Sequence, residues 1–154
     1  MDIKRLLQSL LAHKVKFLVI GAWALPAHGL TRMTQDIDIF IKPTPINARR
    51  TLRALKSVGY DALAGVTTET LLTKKVLLRQ YILQADIHPF VAGVKYDEVW
   101  EQRMETTIEG LTVFVPSLET MIAMKKAAGR SKDKEDLRVL KKIRAKRKAS
   151  KKKE

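Results

Sequence analysis

The sequence predicts an α/β (α+β) fold, a mixed β-sheet flanked by helices and followed by two C-terminal helices and a basic tail. Three observations lead there. Segments of strand character at 16–20, 36–41 and 76–88 are interleaved with segments of helical periodicity. Gly or Pro stands at most boundaries between them. The chain has 154 residues, 45% of them hydrophobic, enough for one domain with a buried core. A single domain is therefore expected over residues 1–140, with residues 141–154 as a flexible basic tail.

Along the chain, Ile3, Leu6, Leu7, Leu10 and Leu11 recur at helical spacing. Lys16 to Ile20 is a short apolar run, a buried strand ending at Gly21. Residues 22–29 form a short helix, limited by Pro26 and closed by Gly29. Asp36 to Ile41 alternates from two aspartates into an apolar face, a strand that Pro43 ends. A helix over 45–58 stops at Gly59, and Leu71-Leu72 belong to either a short helix or the approach to a strand. Residues 76–88 give one or two strands, ended by Pro89, and Tyr96 to Met104 gives a helix. Strands at 106–108 and 111–115 form a hairpin around Glu109-Gly110. Ser117 caps a helix that Gly129 closes, and Asp133 caps a last helix carrying Leu137, Leu140 and Ile143. The break at Pro116 sets these two helices apart as a small appendage.

Composition removes several chemistries. There is no cysteine, hence no disulfide, thiolate zinc site or Cys nucleophile, which suits a reducing cytoplasm. The N-terminal stretch reads as an amphipathic helix rather than a secretory leader, and no run approaches a membrane span. The net charge is +14, and nine Lys/Arg against one acid place +8 of it in residues 141–154. Such a run either solubilises the chain or attracts a polyanion such as RNA. It carries no aromatic residue, so contact through it is salt-sensitive and blind to sequence.

The chemistry-bearing residues are acids. Asp36 and Asp38 stand at i and i+2 of a strand, so their carboxylates share a face. Two such charges repel unless a cation or a proton joins them, and Mg²⁺ takes one or two carboxylates together with phosphate oxygens. Asp86 lies between Ala85 and Ile87 on another strand. If the two strands are neighbours, three carboxylates converge and can hold two metals. Singly, each acid reads more readily as a solvated strand end, and the combination with the upstream segment changes that reading. Gly21, between a strand and a helix, admits phosphate close to the backbone or simply makes a tight turn. Arg32, beside Thr34, binds phosphate or pairs with Asp36. His88, on the Asp86 face, supports the acids or is a buried structural histidine, and Trp23 and Trp100 are core residues.

The run Val19-Ile20-Gly21-Ala22-Trp23-Ala24, His28-Gly29 and Arg32-Met33-Thr34-Gln35-Asp36-Ile37-Asp38-Ile39 resembles the DNA polymerase beta-type nucleotidyltransferase superfamily. It looks most like the minimal nucleotidyltransferases found in toxin–antitoxin and abortive-infection loci. Ala85-Asp86-Ile87 and the stretch Met124-Lys125, Ala128-Gly129-Arg130, Lys132-Asp133 and Asp136 extend the resemblance over most of residues 15–140. It implies a nucleotidyltransferase-like domain and transfer of a nucleoside monophosphate from an NTP such as ATP to a hydroxyl on a protein side chain or an RNA end. Asp36, Asp38 and Asp86 would be catalytic and would bind Mg²⁺, with a two-metal site. Gly21, Ala22, Arg32, Thr34, Lys125 and Arg130 would bind the nucleotide, with Lys132 a further contact. Many members carry Ser after the glycine, and Ala22 leaves that contact to the backbone. The alternatives are a catalytically weak antitoxin or partner-binding protein of this fold, and a basic nucleic-acid-binding protein. A cognate toxin or antitoxin and RNA are the macromolecular partners these readings imply.

Overall fold

Asp2 opens the first helix by accepting the Arg5 N–H, and α1 (Ile3–Ala12) buries Leu6, Leu7 and Leu10. The computed structural model describes residues 2–32, 34, 36–60, 65–80 and 83–153. Within these, β1 (Phe17–Ile20), β2 (Asp36–Ile41), β3 (Val76–Gln80) and β4 (Leu83–His88) form one sheet in the order β1-β2-β4-β3. β1 runs antiparallel to β2, β2 parallel to β4, and β4 antiparallel to β3. The sheet is therefore mixed. The single apolar segment at 76–88 is two strands whose connection, at 81–82, lies outside the described residues, as do 61–64, Met33 and Gln35.

The parallel β2–β4 pair needs a crossover, supplied by α2 (Pro45–Ser57), α3 (Thr68–Thr73) and β3. Thr44 and Thr67 cap the two helices, and α3 assigns Leu71-Leu72 to a helix. Alternation along the strands sorts the residues onto two faces. Ile37, Ile39, Ile41, Ala85 and Ile87 turn into the main core with α1 and α2, all at zero exposure. Phe40, Leu18 and Ile20 turn the other way, against Tyr96 and Val99 of α4 (Tyr96–Glu101). That opposite face is apolar at one end and acidic at the other, because Asp36 and Asp38 occupy the early positions of β2.

The chain between β1 and β2 is a 3₁₀ helix, Gly21–His28, closed by Gly29 in the left-handed region. His28 is buried, and its Nε2 lies 2.8 Å from the Pro116 carbonyl. A carbonyl only accepts, so this nitrogen carries the proton. Burial lowers the His28 pKa, the Pro116 hydrogen bond opposes this, and nearby Arg147 adds to the lowering. The ring thus ties the 3₁₀ helix to the link after the hairpin as a neutral group.

The hairpin is β5 (Met104–Ile108) with β6 (Leu111–Val115), turning through Glu109 and Gly110, both at positive φ (52° and 77°). α4 ends three residues earlier than its periodicity suggests, because Met104 pairs with Val115 in the hairpin. Ser117 caps α5 (Leu118–Ala128) and Gly129 closes it.

Three expectations are corrected at the C-terminus. α5 and α6 (Ser131–Lys153) are not an appendage, since Leu118, Met121, Ile122 and Leu140 belong to the main core. α6 does not end before the tail but continues through the basic run to Lys153. Lys, Arg and Ala favour helix, and neither Gly nor Pro interrupts them. Asp133 is the third residue of α6 rather than its cap, and its carboxylate reaches back to the Arg130 N–H at 3.2 Å.

Candidate active site

The register of β2 and β4 creates the site. Asp38 stands opposite Asp86, and Phe40 opposite His88, on adjacent parallel strands. Their ligand-bearing atoms, from Asp38, Asp86 and His88, all lie within 4.8 Å of one another. Asp36, one pleat away and opposite Gln84, lines the same cavity without joining this group. The cavity measures about 490 Å³, within the range of small-ligand sites.

Each central carboxylate has one basic partner. His88 Nε2 is 2.8 Å from Asp38 Oδ1, and Arg79 Nη1 donates to Asp86 Oδ1 at 2.7 Å. Asp38 and Asp86 remain 28% and 14% exposed, so ligands can reach both from the cavity. Two carboxylates beside an imidazole, under an open cavity, are a donor set suited to a hard divalent cation that keeps water and phosphate oxygens.

Gly21 is fixed by this arrangement. Its φ is +67°, and a Cβ there would stand 2.5 Å from Asp38 Oδ2. The pairing of Ile20 with Asp38 brings the backbone after β1 onto the carboxylate. Ala22 and Thr34 line the cavity as well. The Thr34 hydroxyl accepts the Asp36 N–H at 3.2 Å and so holds the entry to β2.

The opposite wall is a charged network between α5 and α6. Asp133, 1% exposed, accepts from Lys125 at 3.2 Å and from Arg130 at 2.7 Å. Burial raises its pKa, but the hydrogen bonds from Arg130 and Lys125 outweigh that and bring it to about 2. Asp136 accepts from Lys125 at 3.2 Å and from Arg32 Nε at 2.8 Å. Arg32 is therefore paired, but with Asp136 rather than Asp36, because α6 passes beside the loop before β2. Lys125, Arg130 and Lys132 all line the cavity.

Arg79 was not among the residues singled out from sequence. Its signal was the alternation of β3, where Val76 and Leu78 are buried and Arg79 falls on the Asp86 face, one diagonal away. Trp100 is a core residue, stacked with Tyr96 at 6.1 Å and edge-on to Phe114 at 5.2 Å. Trp23 packs against the main core, and neither tryptophan lines the cavity. No described helix is long and apolar enough to cross a membrane.

Comparisons with known proteins agree on the fold. Comparison with curated proteins gives no match. The solution structure of the antibiotic-resistance factor ANT(2″)-Ia superposes with a TM-score of 0.58 at 17% identity, over 98% of this chain and 90% of that one. The lincosamide antibiotic adenylyltransferase LnuA, lincomycin-bound, gives 0.55 at 16% identity, over 93% and 98%. ANT(2″)-Ia in complex with adenylyl-2″-tobramycin gives 0.55 at 19%, over 98% and 95%. At these identities the likeness establishes the nucleotidyltransferase-like fold. The model of the family described as nucleotidyl transferase of unknown function (DUF2204) matches residues 1–154, so the chain belongs to that family and is an enzyme of the nucleotidyltransferase class.

Proposed function

We propose that the protein transfers a nucleoside monophosphate from an NTP to a hydroxyl acceptor, with Mg²⁺ held by Asp38 and Asp86 and completed by Asp36. The observation that carries this reading is the meeting of Asp38, Asp86 and His88 on adjacent strands, at the floor of a cavity whose other wall is cationic. A bound Mg²⁺ would supply acidity to the attacking hydroxyl and charge stabilisation to the phosphates. The acceptor oxygen attacks the α-phosphorus, a new P–O bond forms, and the bond to the β-phosphate oxygen breaks to release pyrophosphate. Asp86 faces the acceptor and takes up its proton. His88 holds Oδ1 of Asp38, and the missing side chain at Gly21 leaves room for its other oxygen. Lys125, Arg130 and Lys132, with the backbone at Ala22, bind the triphosphate.

Two structural neighbours hold adenylyl-2″-tobramycin and lincomycin, and this extends the acceptor classes to small hydroxyl compounds beside a protein side chain or an RNA end. A cognate toxin–antitoxin partner would be a protein acceptor of this kind. The test is transfer of label from α-labelled NTP in the presence of Mg²⁺, with total host RNA, host protein and a hydroxyl-compound panel as acceptors. Label should appear in one acceptor pool and vanish in Asp38→Ala and Asp86→Ala. Equal labelling by both variants and the wild type refutes the assignment.

A further inference from the structure

Phe90 is 65% exposed. Leu11, Ile46 and Leu77 are exposed too, but only Phe90 of the four lines the cavity. It follows the end of β4 by two residues, and so stands just beyond His88. The ring forms no aromatic pair among the described residues. Val91 and Ala92 continue the same wall, and Met121, Met124 and Ala128 face the cavity from α5 at helical spacing. One side of the cavity is thus apolar, while the acids and the lysines occupy the rest.

The loop that carries Phe90 is set by close packing. Gly93 has φ +83°, and a Cβ there would stand 2.6 Å from the Ala127 Cβ. The loop backbone therefore lies directly on α5, and the Val91–Val94 bridge closes it. This gives the wall a defined position relative to Asp86 and His88.

We propose that Phe90 is the stacking platform for the base of the incoming nucleotide, with Met124 on α5 adding to the apolar lining. This rests on the nucleotidyl-transfer reading of the same site. A triphosphate between the acids and the cationic wall leaves its nucleoside to the remaining, apolar side. A base offers a flat π-face to a ring, whatever its identity.

The test compares binding of the α,β-methylene analogue of ATP with binding of inorganic tripolyphosphate, both with Mg²⁺, by calorimetry. Wild type should bind the analogue about tenfold more tightly than tripolyphosphate. Phe90→Ala should erase that difference and leave tripolyphosphate affinity unchanged, and Phe90→Trp should restore it. Phe90 is exposed, so the variants should fold, and Ile46→Ala is the control for loss of an exposed apolar side chain. Undiminished analogue binding by Phe90→Ala overturns the platform while leaving the transferase reading intact. Binding of neither ligand by wild type overturns both.

Discussion

Two clusters of carboxylates face each other across the cavity, and they are built differently. On α6, Asp133 and Asp136 are buried and share three cationic partners, Lys125, Arg130 and Arg32. On the sheet, Asp38 and Asp86 stand side by side with one basic neighbour each, one of them a histidine. Buried ion pairs with several hydrogen bonds hold a structure in one arrangement, and breaking one partner is costly. Carboxylates that are partly exposed and face one another are held ready for a further cation. Partner number thus separates the acids that hold the wall from those proposed to serve the reaction, since Asp86 and Asp136 are almost equally buried, at 14% and 13% exposure.

Mutation of each cluster should break the molecule in a different way. Asp133→Ala leaves Lys125 with Asp136 alone and Arg130 without its carboxylate, and should cost about 2 kcal/mol in a urea unfolding curve. Asp38→Ala, expected to abolish transfer, should leave that curve nearly unchanged. If both variants lose stability equally, the distinction fails. Gly21→Ala should follow in size. It strains the backbone at φ +67° and drives a methyl into Asp38, for about 1–2 kcal/mol, with weakened Mg²⁺ binding in calorimetry.

The acid limb of stability gives a smaller signal. The Asp133 pKa is depressed to about 2, so its contribution is present above the ordinary carboxylate range and is lost as pH falls from about 4 toward 2. Asp133→Asn should flatten the pH dependence in that window relative to wild type. The smallest effect is expected at Arg79→Gln. The side chain is 42% exposed, so stability should change by less than about 1 kcal/mol. Removal of the cation that competes for Asp86 should tighten Mg²⁺ binding severalfold, and a weaker affinity would show instead that Arg79 orders the carboxylate for metal.

The sheet-side cluster was the more legible of the two in sequence. Strict alternation in Asp36–Ile41 places both aspartates on one face, and Ala85-Asp86-Ile87 carries the same signature. Ser117, Gly129 and the Glu109-Gly110 turn mark their boundaries because caps and turns are local chemistry. The helix-side network was opaque because it is long-range. Arg32 and Asp136 are 104 residues apart, and nothing local to either distinguishes this partner from Asp36. Docking of α5 and α6 into the core escaped for the same reason, since Pro116 is a local break but Leu140 finds its neighbours only in three dimensions. Arg79 reads as an ordinary strand residue until the hairpin register brings it to Asp86.

The contact between Gly21 and Asp38 reaches beyond this one chain. Positions 21 and 38 are coupled, because a side chain at the first would press on the carboxylate at the second and strain a backbone at φ +67°. Among relatives, replacement of the glycine should therefore tend to accompany a change at the aspartate, a covariation that their sequences can test.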